Sequence, residues 1–226
     1  MHIILMGAQG AGKGTQAGRV APRLGLTHLA TGDLFRAAIA AGTDLGRRVK
    51  GILDAGELVP DDVTVELVEE KLDELKAART EGTTGGGALF DGFPRTRAQA
   101  EALDRVLAAR GEELTAVIAI EVPLEKLVER LAGRRVCASC GTSYHVEFNP
   151  PRETGVCDRC GGALVQRHDD TPGPIRKRLG LYLDQTAPLL ADYRKRGLLV
   201  EVNGDQPIET VTDAIIDAVA QVHAAA

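Results

Sequence analysis

The segment GAQGAGKGT, Gly7 to Thr15, carries the most specific chemistry in the chain. It fits G-x-x-x-x-G-K, directly after the apolar run HIILM and directly before residues of helical character. That is the setting in which such a loop cradles phosphate. Gly7, Gly10, Gly12 and Gly14 let the backbone turn tightly and bring its N–H groups onto phosphate oxygens. The positive end of the following helix faces the same anion, and Lys13 can reach the outer phosphates. Gly14 stands where a Mg²⁺-binding Ser or Thr is usual, with the hydroxyl one residue later at Thr15, which weakens the case for direct ligation of Mg²⁺ by this loop. The loop predicts binding of a nucleoside triphosphate and leaves the reaction open.

Two further segments, ATGDLFR (30–36) and FDGFPRT (90–96), hold candidate partners. Asp91 closes a candidate strand at the carboxyl edge of the sheet, where open α/β sheets bind ligands. A carboxylate there can hold the water shell of Mg²⁺. Arg36 and Arg95 fall at element ends, outside obvious ion-pair spacing, and a planar guanidinium suits a phosphate. Taken singly, each reads first as a surface cation.

All four cysteines lie in one segment, as Cys137-x₂-Cys140 and Cys157-x₂-Cys160 with sixteen residues between the pairs. This is the spacing of a four-thiolate zinc site, closed and therefore structural, with Gly141 and Gly161 suited to tight knuckles. Iron or another thiophilic metal fits the same spacing. Disulfides are disfavoured in a reducing compartment. His145 and His168 flank the segment, but four thiols already complete a shell. At this point an independent nucleic-acid-binding zinc ribbon remains a rival.

The elements that must position these residues alternate. HIILM, LTHLA, ALFDG, AVIAIEV and LLVEVNG read as strands. Helical segments lie between them: Gly14 to Leu24, a stretch after Thr31 (a candidate cap) ending at Gly42, LGRRVKGILDAG, DDVTVELVEEKLDELKAAR, TRAQAEALDRVLAARG and LEKLVERLAGR. A long helix from Ile175, with a break near Pro188, and a last helix from Ile208 follow. Strands alternating with helices predict a parallel sheet covered on both faces. The stretch 80–87, TEGTTGGG, reads as a flexible exposed loop.

At 226 residues the chain holds one domain with insertions, or two small ones. A net charge of −5 argues against a general nucleic-acid or membrane-surface protein. There is no apolar run near the ~20 residues that span a bilayer and no signal-peptide pattern at the start, so a soluble cytoplasmic protein is expected.

Together GAQGAGKGTQ, TGDLFR, DAGELV, DGFPRT, RLAGRRV, FNPP and IRKRL resemble, in order and over almost the whole chain, the nucleoside monophosphate kinases. Within them the chain is similar to adenylate kinases of the long-lid bacterial form with a four-cysteine lid. The resemblance implies an α/β P-loop fold of three layers around a central parallel sheet. Its core would be 1–29, 60–132 and 171–226, with a helical AMP-binding insertion at 30–59 and a zinc-stapled lid at 133–170. It implies the reaction of Mg·ATP with AMP to give two ADP, without a covalent enzyme intermediate, in a protein that is a monomer and binds neither nucleic acid nor membrane.

Carried onto this sequence, Gly10, Ala11, Gly12, Lys13, Gly14 and Thr15 match positions that wrap the ATP phosphates. Arg130, Arg134, Ser143, Tyr144 and Gln206 match ATP-side positions as well. Thr31, Arg36, Glu57, Leu58, Val59 and Gln99 match positions that hold AMP, and Gly92, Phe93, Pro94 and Arg95 its phosphate side. Arg167 and Arg178 match arginines that clamp the phosphates, Asp169 and Asp170 the carboxylates that position them, and Cys137, Cys140, Cys157 and Cys160 the lid's structural zinc ligands. Lys13, Arg95, Arg134, Arg167, Arg178 and Asp91 carry the chemistry in this scheme. Departures are Gln9, in place of a frequent proline, and Pro172-Gly173-Pro174, which read as a restricted lid hinge. A kinase of another monophosphate, or a nucleotide-binding zinc module without turnover, are the alternatives.

Overall fold

A strand that is apolar on both faces needs a packed layer on each side, and β1, His2–Met6, is buried along its whole length. In the computed structural model, which describes residues 1–80, 86–167 and 169–225, β1 is the central strand of a five-stranded parallel sheet. It pairs with β3 (Ala88–Asp91) on one side and the longer β4 (Leu114–Glu121) on the other. The edges are β2 (Thr27–Ala30), beside β3, and β8 (Leu199–Asn203), beside β4.

Alternate residues of β1 feed opposite cores, as the two-residue strand period requires. Ile3 and Leu5 pack with Ala17 and Val20 of α1 (Lys13–Arg23), Leu127 and Leu131 of α6 (Leu124–Ala132), and Ile215 and Val219 of α9 (Ile208–Ala225). Ile4 and Met6 face Val68 and Leu72 of α4 (Asp61–Thr80), Leu103 and Leu107 of α5 (Arg97–Ala109), and Leu189 and Tyr193 of α8 (Pro188–Lys195). These are the expected three layers. A separate small core of Phe35, Val49, Val59 and Leu67 joins α2 (Thr31–Ala40) and α3 (Asp44–Asp54) to the start of α4.

Between α6 and α7 (Pro172–Leu181) the chain leaves the sheet and forms a three-stranded antiparallel sheet. In it β5 (Arg134–Cys137) lies between β6 (Ser143–His145) and β7 (Leu164–Val165). Among the described residues its buried cluster is Cys137, Tyr144 and Cys157, with Cys140 and Leu164 packed on it.

Two local expectations need correction, and two others are given their local form. Thr31 does not cap α2: it is the first helical residue, after Ala30, and its hydroxyl donates instead to the Gly92 carbonyl at 3.1 Å. Arg36 lies inside α2 rather than at an end, one turn after Asp33, with which it pairs. Pro172 and Pro174, expected in a restricted lid hinge, are helical. They open α7, where a missing N–H removes only a donor that a first turn leaves unpaired anyway. The break expected near Pro188 is a π-helical turn, Tyr182–Thr186, in which Ala187 N–H donates to the Tyr182 carbonyl. Proline at 188 cannot donate to the carbonyl four residues back and its ring crowds it, and the wider turn relieves both.

Most of the stretch 80–87 expected to be a flexible loop lies outside the described residues, as does His168. Among the described residues no helix is long and apolar enough to cross a membrane.

Candidate active site

The carboxyl edge of the parallel sheet opens into a cavity of about 2010 Å³ that runs from the loop after β1 across to the three-stranded sheet. Single small-molecule sites rarely exceed ~1,000 Å³, so the space suits two nucleotide-sized ligands. Gly7 to Thr15, except the buried Ala8, line its floor. The loop lies so close to its neighbours that a Cβ on Gly7 would sit 2.6 Å from the Ile120 carbonyl, and one on Gly10 2.9 Å from that of Leu127. Both glycines also take positive φ.

Lys13 folds back and donates to the carbonyls of Gly7 at 2.7 Å and Ala8 at 2.9 Å. Burial is the main reason its ammonium is pulled down to about 8, with Arg95, Arg178 and Arg134 adding to the effect and Asp91 opposing it. Asp91 ends β3 beside β1, in register with Leu5. Burial would raise its carboxyl, but the His28 ring, 3.4 Å away, together with Lys13 and Arg95, holds it below the usual carboxylate range. A Cβ on Gly14 would stand 3.4 Å from Asp91 Oδ2, so the glycine leaves that carboxylate open to the loop.

Guanidiniums converge on this floor from three directions. Arg95, after a cis Phe93–Pro94 bond, donates from Nε to the Gly92 carbonyl at 2.7 Å. Its backbone N–H donates at 2.8 Å to Gln99 Oε1, and Gln99 Nε2 donates in turn to Asp61 at 2.7 Å. Arg134 makes a forked pair with Asp170, whose side chain is fully buried. Arg178 donates to the same Asp170 at 3.3 Å and to Asp169 at 2.8 Å. Arg36 and Arg167 share Asp33, Arg167 at 3.4 Å, which joins the three-stranded sheet's base to α2. Burial first, then neighbouring guanidiniums, bring Arg95 and Arg167 down to about 10. Such crowding of like charge is relieved by an anion.

Other expected site residues divide. Glu57, Gly92, Phe93, Pro94, Arg130, Ser143, Tyr144 and Gln206 line the cavity. Arg130 grips the Gly204 carbonyl with both Nη atoms at 3.1 Å, fixing the turn that precedes Gln206. Thr31, Leu58, Val59 and Gln99 do not line it. Thr31 and Gln99 are buried beneath it, where they hold Gly92 and Arg95. The Tyr144 hydroxyl turns into the thiol cluster, accepting from Asp158 N–H at 2.8 Å and meeting Cys157 Sγ at 3.5 Å.

The four cysteine sulfurs lie within 4.8 Å of one another. Cys137 and Cys160 are 3.4 Å apart, Cys140 and Cys157 3.6 Å. A tetrahedron with Zn–S of about 2.3 Å has sulfurs ~3.8 Å apart, so the set fits a single thiophilic ion. The knuckles match: Gly141 N–H donates to the Cys137 carbonyl and Gly161 N–H to that of Cys157. Tyr144 is the main reason the Cys157 thiol is lowered to about 6, which favours the thiolate a metal needs. His145 stands apart from the cluster, stacked on Phe148, with Nδ1 accepting from the N–H groups of Glu147 and Phe148 at 3.0 Å each.

A family model described as adenylate kinase matches residues 5–198. The chain is 52% identical to the adenylate kinase of Desulfitobacterium hafniense (strain DSM 10664 / DCB-2) over 223 residues, 99% of this chain and 100% of that one. It is 54% identical to that of Symbiobacterium thermophilum over 219 residues, 97% and 98% of the two chains. Against that of Moorella thermoacetica it is 54% identical over 215 residues, 95% and 96%. The chain belongs to the adenylate kinase family.

In this adenylate kinase the sequence reading passed over His28, Asp33 and Asp61, each of which holds or faces a candidate site residue. Asp33 was detectable, since it precedes Arg36 by the i,i+3 spacing of helical pairs. His28 and Asp61 carry no local signal, because their partners come from other elements.

Proposed function

We propose that this adenylate kinase transfers the terminal phosphoryl group of ATP to AMP by direct in-line displacement. An AMP phosphate oxygen bonds to the γ-phosphorus as its bond to the ADP oxygen breaks, giving two ADP. The observation that carries the reading is one cavity holding a phosphate loop, a strand-end carboxylate and arginines from both flanking segments. Charge compensation and alignment of two substrates, rather than a general base, are what such a transfer needs.

In this scheme the backbone of Gly10 to Thr15 wraps the ATP phosphates. Lys13 leaves the Gly7 and Ala8 carbonyls to follow the transferred group, and binding of the anion favours its charged form. Arg36 and Arg95 hold the AMP phosphate. Arg134, Arg167 and Arg178 bear on the oxygens in transit, and the 133–170 segment closes over ATP to exclude water as a competing acceptor. The 30–59 segment encloses AMP. Asp91, ionised and open past Gly14, suits Mg²⁺ held through its water shell. Bound there, Mg²⁺ would neutralise charge between the phosphates. The four thiols suit a structural Zn²⁺. Four thiols gathered as metal ligands accord with a cytoplasmic setting, and the enzyme would act as a monomer.

The test is a coupled assay of ATP-dependent diphosphate formation with AMP, UMP, CMP and GMP as acceptors. AMP is expected to be strongly preferred. Preference for another acceptor, or nucleotide binding without ADP formation, would overturn the assignment.

A further inference from the structure

The π-helical turn lies against the active site, and its last residue reaches into it. Thr186 is buried, and its hydroxyl donates to the main-chain carbonyl of Arg95 at 2.8 Å, across 91 residues of chain. We propose that Thr186, the last residue of the π turn, is a positioning residue for Arg95. The inference rests on the reading of Arg95 as a ligand of the AMP phosphate.

Arg95 works in an adverse field. Besides the cost of its own burial, Arg178 and Arg36 repel its guanidinium. A cation so placed holds its geometry only if its backbone is fixed. Its N–H is fixed by Gln99 and its Nε by Gly92, both within its own loop and helix. Thr186 supplies the only hydrogen bond among the described residues that ties Arg95 to the arm carrying Arg178.

The wide turn also shifts the helical register. A π turn takes in one residue more than an α turn, so Thr186 has the angular position that residue 185 would hold in a continuous helix. Seven residues are about two full turns at ~100° each, which places Thr186 on the same face as Arg178. Arg178, Tyr182 and Thr186 accordingly all line the cavity. In an unbroken α-helix Arg178, Tyr182 and Thr186, at i, i+4 and i+8, would still share one broad face, with Thr186 about 80° from Arg178 where the wide turn leaves it about 20° away.

The test uses the full-length protein with Thr186→Val, Thr186→Ala and Thr186→Ser, each alone and with Arg95→Ala. AMP affinity is read by equilibrium titration, and KM and kcat by the coupled assay. Thermal melts identify variants folded at the assay temperature. Losing the hydroxyl while leaving the carbonyl buried should weaken AMP binding and kcat/KM for AMP about tenfold, with KM for ATP within about twofold. Thr186→Ser should restore both, and in the Arg95→Ala background Thr186→Val should add nothing further. Unchanged AMP binding in Thr186→Val and Thr186→Ala would overturn the proposal, as would an undiminished effect of Thr186→Val beside Arg95→Ala. If Arg95→Ala alone binds AMP and turns over normally, the reading of Arg95 fails first.

Discussion

Asp170 is the carboxylate whose loss the site should feel most. Its side chain is fully buried, receives the Nε and Nη2 groups of Arg134, and takes a third bond from Arg178 at 3.3 Å. Asp170→Asn keeps the shape and removes the charge, turning an amide N–H₂ or a weaker acceptor toward two guanidiniums. Removing one partner of a buried ion pair costs about 3–5 kcal/mol. The lower end applies here, because Arg134 and Arg178 remain 18% and 12% exposed and Arg178 keeps Asp169. At about 2–4 °C per kcal/mol for a chain of this size, about 3 kcal/mol lowers Tm by roughly 6–12 °C. Thermal unfolding by circular dichroism measures it. Saturating ADP should narrow the gap from wild type, since its phosphates give the orphaned guanidiniums new partners. A variant melting within about 2 °C of wild type, or one that ADP stabilises no more than wild type, would refute the reasoning.

Two further outcomes follow from the same cavity and from the lid. The Lys13 ammonium, down to about 8, is charged in the free enzyme below that pH and loses charge above it. ATP affinity and kcat/KM for ATP should therefore be flat below about pH 7 and fall as pH rises through 8, and Lys13→Arg should move that limb upward. Because the folded value lies below the ordinary lysine value of 10.5, the buried charge opposes folding below pH 8 and is relieved as pH climbs toward 10.5. Lys13→Met should thus abolish turnover with thermal stability kept or raised, and a destabilised Lys13→Met would contradict this. For the thiol cluster, metal analysis should give one zinc per chain. Chelation or Cys157→Ser should lower the first unfolding transition, with Tyr144→Phe intermediate. Metal-free protein with unchanged unfolding would sink the structural role.

Periodicity and short-range spacing made much of this molecule legible. β1, its loop and α1 could be read because a strand, four glycines and a lysine occupy adjoining residues, and the four-thiol set because each cysteine pair is local. What escaped depends on contacts between distant segments. Asp170 meets Arg134 across 36 residues, Arg167 meets Asp33 across 134, and Thr186 meets Arg95 across 91. No window on the chain contains such pairs. Pro188 announced a break in the helix but not its form, since the choice between a kink and a wide turn depends on what the freed face can touch. Thr31 had a cap's side chain at a plausible place, and a better acceptor at Gly92 won it. Asp33 was the avoidable omission, visible one turn from Arg36.

The lid's buried cluster shares no residue with the cores on the two faces of the sheet. On the proposed reading, in which the four thiols hold a structural Zn²⁺, its order depends on metal supply and theirs on apolar packing, so the enzyme would have two separable ways to fail. Starved of zinc, the chain would then keep its floor and its phosphate loop while losing the cover proposed to exclude water. The expected symptom is then leakage, ATP spent without transfer, rather than disappearance of the protein. Heat or a core substitution acts the other way round, removing the floor from beneath an intact clasp.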